Sequence, residues 1–184
     1  MLIPFAFLAA LACPTTAAKI SVSIGSLEFT PDTVTAAIGD IVEFNFFPVN
    51  NSVILSDFNT PCAPAKTGGF NSGFFATSSG QNPSAFQIVV NTTDPMFVYC
   101  GFPLHCKNGM SAVINPGKGQ TLEAYRIASA KVDAVVPNGV FGGQIVASSG
   151  NTPPPGKSDA SSPSGVISLG VPVAVALAAA AMML

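Results

Sequence analysis

From Lys19 to Ile24 every second residue is apolar, and the same period of two returns in Ile41–Phe47. There Val42, Phe44 and Phe46 share one face while Glu43 and Asn45 share the other. Side chains that alternate this way belong to strands, because a helix brings residues three and four apart onto one face. Further short runs follow at Thr33–Ile38, Ser52–Leu55, Phe74–Ala76, Ala85–Val90, Met96–Cys100 and Ser111–Ile114. Clusters of Pro, Gly and Asn punctuate them: Gly39-Asp40 is a turn signal, and Phe29-Thr30-Pro31-Asp32 reads as another. The pattern predicts an all-β sandwich of seven to eight strands. Fourteen Phe and no Trp supply the core aromatics. One helix is expected at Thr121–Lys131, capped by Thr121, with Glu123 in its first turn and Lys131 in its last.

Charge limits the partners. The chain carries seven basic and nine acidic side chains for a net charge of -2, and it has no basic run. Nucleic acid is therefore not an expected partner. All the charges lie between Lys19 and Asp159, so both ends are apolar or neutral. Residues 1–18 read as a secretory signal peptide, with small residues Thr16-Ala17-Ala18 at the cleavage point. Residues 148–165 are a predicted disordered stalk, because 14 of those 18 residues are Ser, Thr, Pro or Gly. Residues 166–184 form a charge-free tail that reads as a GPI-attachment signal, with the attachment residue between Ser158 and Ser162. The domains expected are thus 19–118 for the sandwich and 119–147 for the helix and a C-terminal extension. The protein is expected to be secreted and held by a lipid anchor to the outer membrane leaflet, or to the cell wall. Asn50 and Asn91 head N-glycosylation sequons.

There are four cysteines, and Cys13 departs with the signal peptide, leaving Cys62, Cys100 and Cys106 in an oxidising compartment. Three is odd, so one thiol is free, shared with another chain or bound to something. Cys62 sits in a long loop, residues 56–73, of a length that is usually functional or pinned. The other two belong to the segment Cys100-Gly101-Phe102-Pro103-Leu104-His105-Cys106-Lys107-Asn108-Gly109-Met110, which has the form C-x4-H-x4-M. A thiolate, an imidazole and a thioether in one strand–loop–strand segment make a soft donor set of the kind that suits copper, Cu(I) above all.

That segment resembles the cupredoxin superfamily, specifically the phytocyanin-like domains of fungal GPI-anchored, serine-rich extracellular proteins. The resemblance runs from about Ser21 to Pro116. It includes Phe29-x-Pro31, the Gly39-Asp40-x-Val42-x-Phe44-x-Phe46 run, Asn50-x-Ser52-Val53, Pro61-Cys62, Gly69-Phe70-x-Ser72-Gly73 and Ile114-Asn115-Pro116. It implies a Greek-key β-sandwich with copper at one end. It also implies metal ligands at Cys100, His105 and Met110, and a Cys62–Cys106 disulfide that leaves Cys100 for the metal. One ligand departs from the family: Asn51 stands where the first His belongs, and His105 is the only histidine in the chain. A trigonal site of two His and one Cys therefore cannot be built from one chain.

Two functions remain in view. One is a copper protein with an altered site, for electron transfer or copper sequestration, whose redox or cell-wall partner the sequence does not name. The other is a surface module that keeps the fold without the metal. A Cys100–His105–Asn51 hydrolase is a third arrangement of the same residues, but the sequence offers it no evident oxyanion hole. No G-x-S-x-G, P-loop or H-E-x-x-H motif is present, and the chain reads as a non-enzyme.

Overall fold

The structure, a computed structural model, describes residues 16–150. The signal peptide up to residue 15 with Cys13, the stalk from residue 151 with Ser158 and Ser162, and the 166–184 tail lie outside the described residues. The period-two runs become strands β1 (Lys19–Gly25), β2 (Glu28–Thr30), β3 (Thr33–Val34), β4 (Ile41–Phe46), β5 (Asn50–Asn51) and β6 (Ile54–Ser56). They continue with β7 (Phe75–Ala76), β8 (Ser84–Val89), β9 (Met96–Tyr99), β10 (Ser111–Ile114), helix α1 (Leu122–Ser129) and β11 (Gln144–Ala147). Five strands form one sheet in the order β11-β8-β4-β1-β2, four form a second in the order β3-β10-β9-β6, and β5 pairs with β7. The chain crosses between the two larger sheets repeatedly, which is why β1 runs parallel to β4 and β3 parallel to β10.

The core lies between the sheets. Val22, Ile24, Val42, Phe44, Phe46, Phe86 and Ile88 point inward from the first sheet and meet Val34, Met96, Val98, Ala112 and Ile114 from the second. Phe46 stacks on Phe75 with ring centroids 3.9 Å apart. The fold is an all-β sandwich with one short helix.

Three details differ from the sequence expectation. Glu28–Thr30 is a strand paired with β1 where a turn was expected at Phe29–Asp32. The reversal is made earlier, by Ser26 and Leu27 at positive φ, and neither residue type announces such a turn. The helix ends at Ser129 with Ala130 as its cap, so Lys131 lies beyond it and Arg126 is the basic residue of the last turn. Thr121 does cap the helix, accepting from the Ala124 N–H.

The third difference is larger: residues 119–147 pack on the sandwich instead of following it. Tyr125 is buried against Phe97 and Val113, its ring 5.1 Å from that of Phe97. Its hydroxyl donates to Ser56 Oγ and accepts from the Cys62 N–H. Arg126 donates to the carbonyls of Gly109 and Ser111, which ties the helix to the end of the 101–109 loop. Residues 134–141 then form a strap. Val135 N–H donates to Cys62 O, Asn71 Nδ2 donates to Pro137 O and Gly139 O, and Phe141 exchanges backbone bonds with Asn71. The chain re-enters the first sheet as β11 beside β8. Even Ser148 and Ser149, expected in the stalk, are held: Ser148 N–H donates to Pro83 O, and Ser149 Oγ accepts from Lys19.

Candidate metal centre

Strands β9 and β10 are antiparallel neighbours with Ser111 opposite Tyr99, so the residues just beyond, Cys100 and Met110, face each other across the ladder. The Cys100 N–H donates to Met110 O at 3.3 Å. Between them the loop folds back tightly. His105 N–H donates to Phe102 O, Gly109 N–H to Cys106 O, and Met110 N–H to His105 O. Gly109 sits at φ +90°, a conformation that side chains rarely adopt, so the return to β10 depends on it. These bonds place His105 Nδ1 3.4 Å from Cys100 Sγ. Phe102 covers the imidazole, with ring centroids 4.8 Å apart. His105 is 8% exposed, and Cys100, Met110 and Asn51 are fully buried.

The third wall comes from the β5–β6 segment. Ser52 N–H donates to Cys100 Sγ at 3.5 Å and its hydroxyl lies 4.0 Å from the same sulfur, while Ser52 Oγ accepts from the Gly101 N–H. Asn51 Nδ2 donates to Phe47 O at 3.0 Å, and its Oδ1 accepts from the Cys100 thiol at 3.8 Å. The strap closes the outside: a side chain at Gly101 would strike Ile54 and Val136, each within 2.8 Å of where a Cβ would stand. Cys62 and Cys106 form a disulfide, which joins the 56–73 loop to the 101–109 loop and leaves Cys100 as a free, buried cysteine.

Burial sets the protonation states. It pushes the Cys100 thiol up, against the backbone and Ser52 hydrogen bonds that pull it down, and it lowers His105. A neutral imidazole with a free lone pair is what a metal ligand requires. A buried thiol of raised pKa is the reverse of the exposed, acidified thiol that nucleophilic catalysis uses.

The donor set can be tested against an ion. A thiolate and an imidazole bound to one d10 ion at about 2.3 and 2.0 Å, tetrahedrally disposed, lie about 3.5 Å apart. The 3.4 Å between Cys100 Sγ and His105 Nδ1 fits that edge. Among the described residues no three of His, Cys, Asp and Glu converge, so a fuller donor set would need other residue types.

Of the two sequon asparagines, Asn91 is exposed, whereas Asn50 is half-buried and its Oδ1 is buried without a partner. Sequence reasoning missed the Ser52 donors, the Gly101 clearance and the strap. The Ser52 donors sat inside a recognised motif, and only the fold aims them at Cys100. The strap carried no signal, because its hydrogen-bond partners lie at least 36 residues away in sequence.

No protein-family model matches the sequence. A curated protein named "Probable GPI-anchored cupredoxin-1", from Arthroderma benhamiae, is 34% identical over 128 residues, which cover 67% of this chain and 63% of that protein. Over those residues the chain is similar to a protein named a cupredoxin. "Extracellular serine-rich protein" from the same organism is 32% identical over 108 residues, 58% of this chain and 42% of its own length. The chain thus spans less than two thirds of either curated relative. Among solved structures, auracyanin B is similar at 14% identity with a TM-score of 0.42, covering 56% of this chain and 91% of that one. One relative's name says GPI-anchored and the other's says extracellular, which agrees with the extracellular, anchored location expected from the two ends of this sequence.

Proposed function

We propose that this protein binds one copper ion outside the cell through Cys100, His105 and Met110, and that it holds the ion as Cu(I) in preference to Cu(II). The observation that carries the reading is the 3.4 Å approach of His105 Nδ1 to the free, buried thiol of Cys100. A thiolate, a thioether and a single imidazole are soft donors, and they stabilise the monovalent ion over the divalent one. When bound, copper supplies a one-electron couple. The chain's own residues do the rest. The disulfide and the Arg126 bonds fix the loop, Phe102 shields the imidazole, and Ser52 donates to the sulfur so that its charge is partly neutralised.

A site biased toward Cu(I) is better suited to holding copper than to cycling it, so sequestration is the primary role proposed and electron transfer the secondary one. The protein is read as non-catalytic. It would stand on the outer leaflet through a lipid anchor at Ser158 to Ser162, or in the wall, with Asn91 the better placed of the two sequons to carry a glycan. A second reading, a surface module without metal, has support of its own, because the Cys100 thiol is already satisfied by Asn51 Oδ1. Titration of the purified secreted protein with Cu(I) against a coloured chelator separates them. One tightly held equivalent, absent in Cys100→Ser, supports the copper reading, and full folding with no stoichiometric uptake supports the module.

A further inference from the structure

Asn51 stands where a second imidazole is missing, yet its side chain is not idle. It is fully buried, and buried amides keep both ends hydrogen-bonded. Its Nδ2 lies 3.0 Å from Phe47 O, which can only accept, so that end of the amide must be the nitrogen. The orientation is therefore forced, and Oδ1 is aimed at Cys100 Sγ, 3.8 Å away. There it receives only a thiol proton, a weak donor. Binding a metal removes that proton. The amide oxygen would then face a thiolate across a buried gap with nothing to accept from, unless a cation lay between them.

The distances suit that arrangement. A thiolate and a carbonyl oxygen on one ion, at about 2.3 and 2.1 Å and 109–120° apart, stand about 3.6–3.8 Å from each other. Cys100 Sγ thus has two neighbours at ligand-to-ligand separations, His105 Nδ1 at 3.4 Å and Asn51 Oδ1 at 3.8 Å. We infer that Asn51 Oδ1 is a fourth donor, locked in place by Phe47, which closes the Cys100–His105–Met110 site against external ligands. This rests on the copper reading above. A neutral, hard oxygen adds little for Cu(I) and more for a dication, so its contribution is to be read with a divalent probe.

The test uses Co(II), whose visible bands report coordination number, on the purified secreted protein, with Cu(I) stoichiometry measured in parallel. The wild type is expected to show intense four-coordinate bands that azide does not alter. Asn51→Ala should weaken Co(II) binding about 10–100-fold, let azide shift the spectrum, and change Cu(I) affinity far less. Asn51→Asp keeps the oxygen and adds charge but loses the bond to Phe47 O, so a donor role predicts tighter Co(II) binding and a purely structural role predicts weaker. That arm decides the matter if Asn51→Ala does not fold. Co(II) bands and affinity unchanged in Asn51→Ala, or weakened in Asn51→Asp, overturn the inference while leaving the copper reading intact if Cu(I) is still bound. A wild type that takes up neither ion overturns both.

Discussion

Two buried polar clusters are built on opposite principles. On the outer face of the five-stranded sheet Glu43 is 1% exposed and accepts from Lys19 Nζ at 3.1 Å, Gln87 Nε2 at 2.6 Å and Ser149 Oγ at 3.2 Å. At the end of the sandwich Cys100 Sγ, His105 Nδ1 and Asn51 Oδ1 converge, and the sulfur receives hydrogen bonds from Ser52 and from the Phe102 backbone. The first cluster pairs every acceptor with a donor or a cation and is electrostatically closed. The second collects lone pairs. A cluster of the first kind holds a fold together, while one of the second kind gains most when a cation joins it.

The sharpest way to break this contrast is Cys100→Ser. Copper affinity should fall by more than about 100-fold, beyond what supporting residues account for, with the fold retained by circular dichroism. A serine variant that still holds Cu(I) at wild-type affinity would place the site elsewhere. Next in size is removal of the disulfide. Cys62→Ala with Cys106→Ala releases a crosslink over 44 residues, and should cost about 2–5 kcal/mol in denaturant unfolding. It should also make Cys100 alkylate faster, since the ligand loop loses its tether.

The closed cluster has its own signature. Burial alone would raise the Glu43 carboxyl, but hydrogen bonds from Gln87, Lys19 and Ser149 and the Lys19 charge outweigh it and hold the group below the ordinary carboxylate range. A depressed folded-state pKa adds stability that is complete above the unfolded value, about 4.3, and is lost as pH falls through the folded one. Glu43→Gln should cost about 1–3 kcal/mol near neutral pH and flatten that part of the acid limb in unfolding scans. Copper affinity should stay within about twofold, because the two clusters share no partner. A larger change would mean that they are coupled. Smallest of all, Thr121→Ala removes the helix cap at about 1 kcal/mol in thermal unfolding. It also shows whether the helix, through Arg126 on the Gly109 carbonyl, steadies the ligand loop: a weakened copper site in this variant would extend the second cluster to include α1.

Much of the architecture was legible because its signals are local. The alternation in β1 and β4, the turn at Gly39-Asp40 and the cap at Thr121 each depend on residues within a few positions of one another. The alternation nevertheless misleads about Glu43 and Asn45, which alternate like surface residues and are nonetheless buried. What covers that face includes Ser149, 106 residues away, and no pattern at Glu43 foretells it. Strand β11 was missed for a related reason. Gln144–Ala147 is mostly exposed and has no alternation to read, and it becomes a strand because β8 offers an unpaired edge.

The sequence by itself determined the candidate donors and their spacing, because Cys100, His105 and Met110 lie in one strand–loop–strand segment whose hydrogen bonds are short-range. It also determined that there is one imidazole to offer, since His105 is the only histidine. Tertiary structure decided what surrounds them: the strap over Gly101, the Ser52 donors on the sulfur and the direction in which the Asn51 amide points. An amide is symmetric in outline and asymmetric in chemistry, so its orientation follows from which end finds an acceptor. That acceptor, Phe47 O, is supplied by the folded backbone.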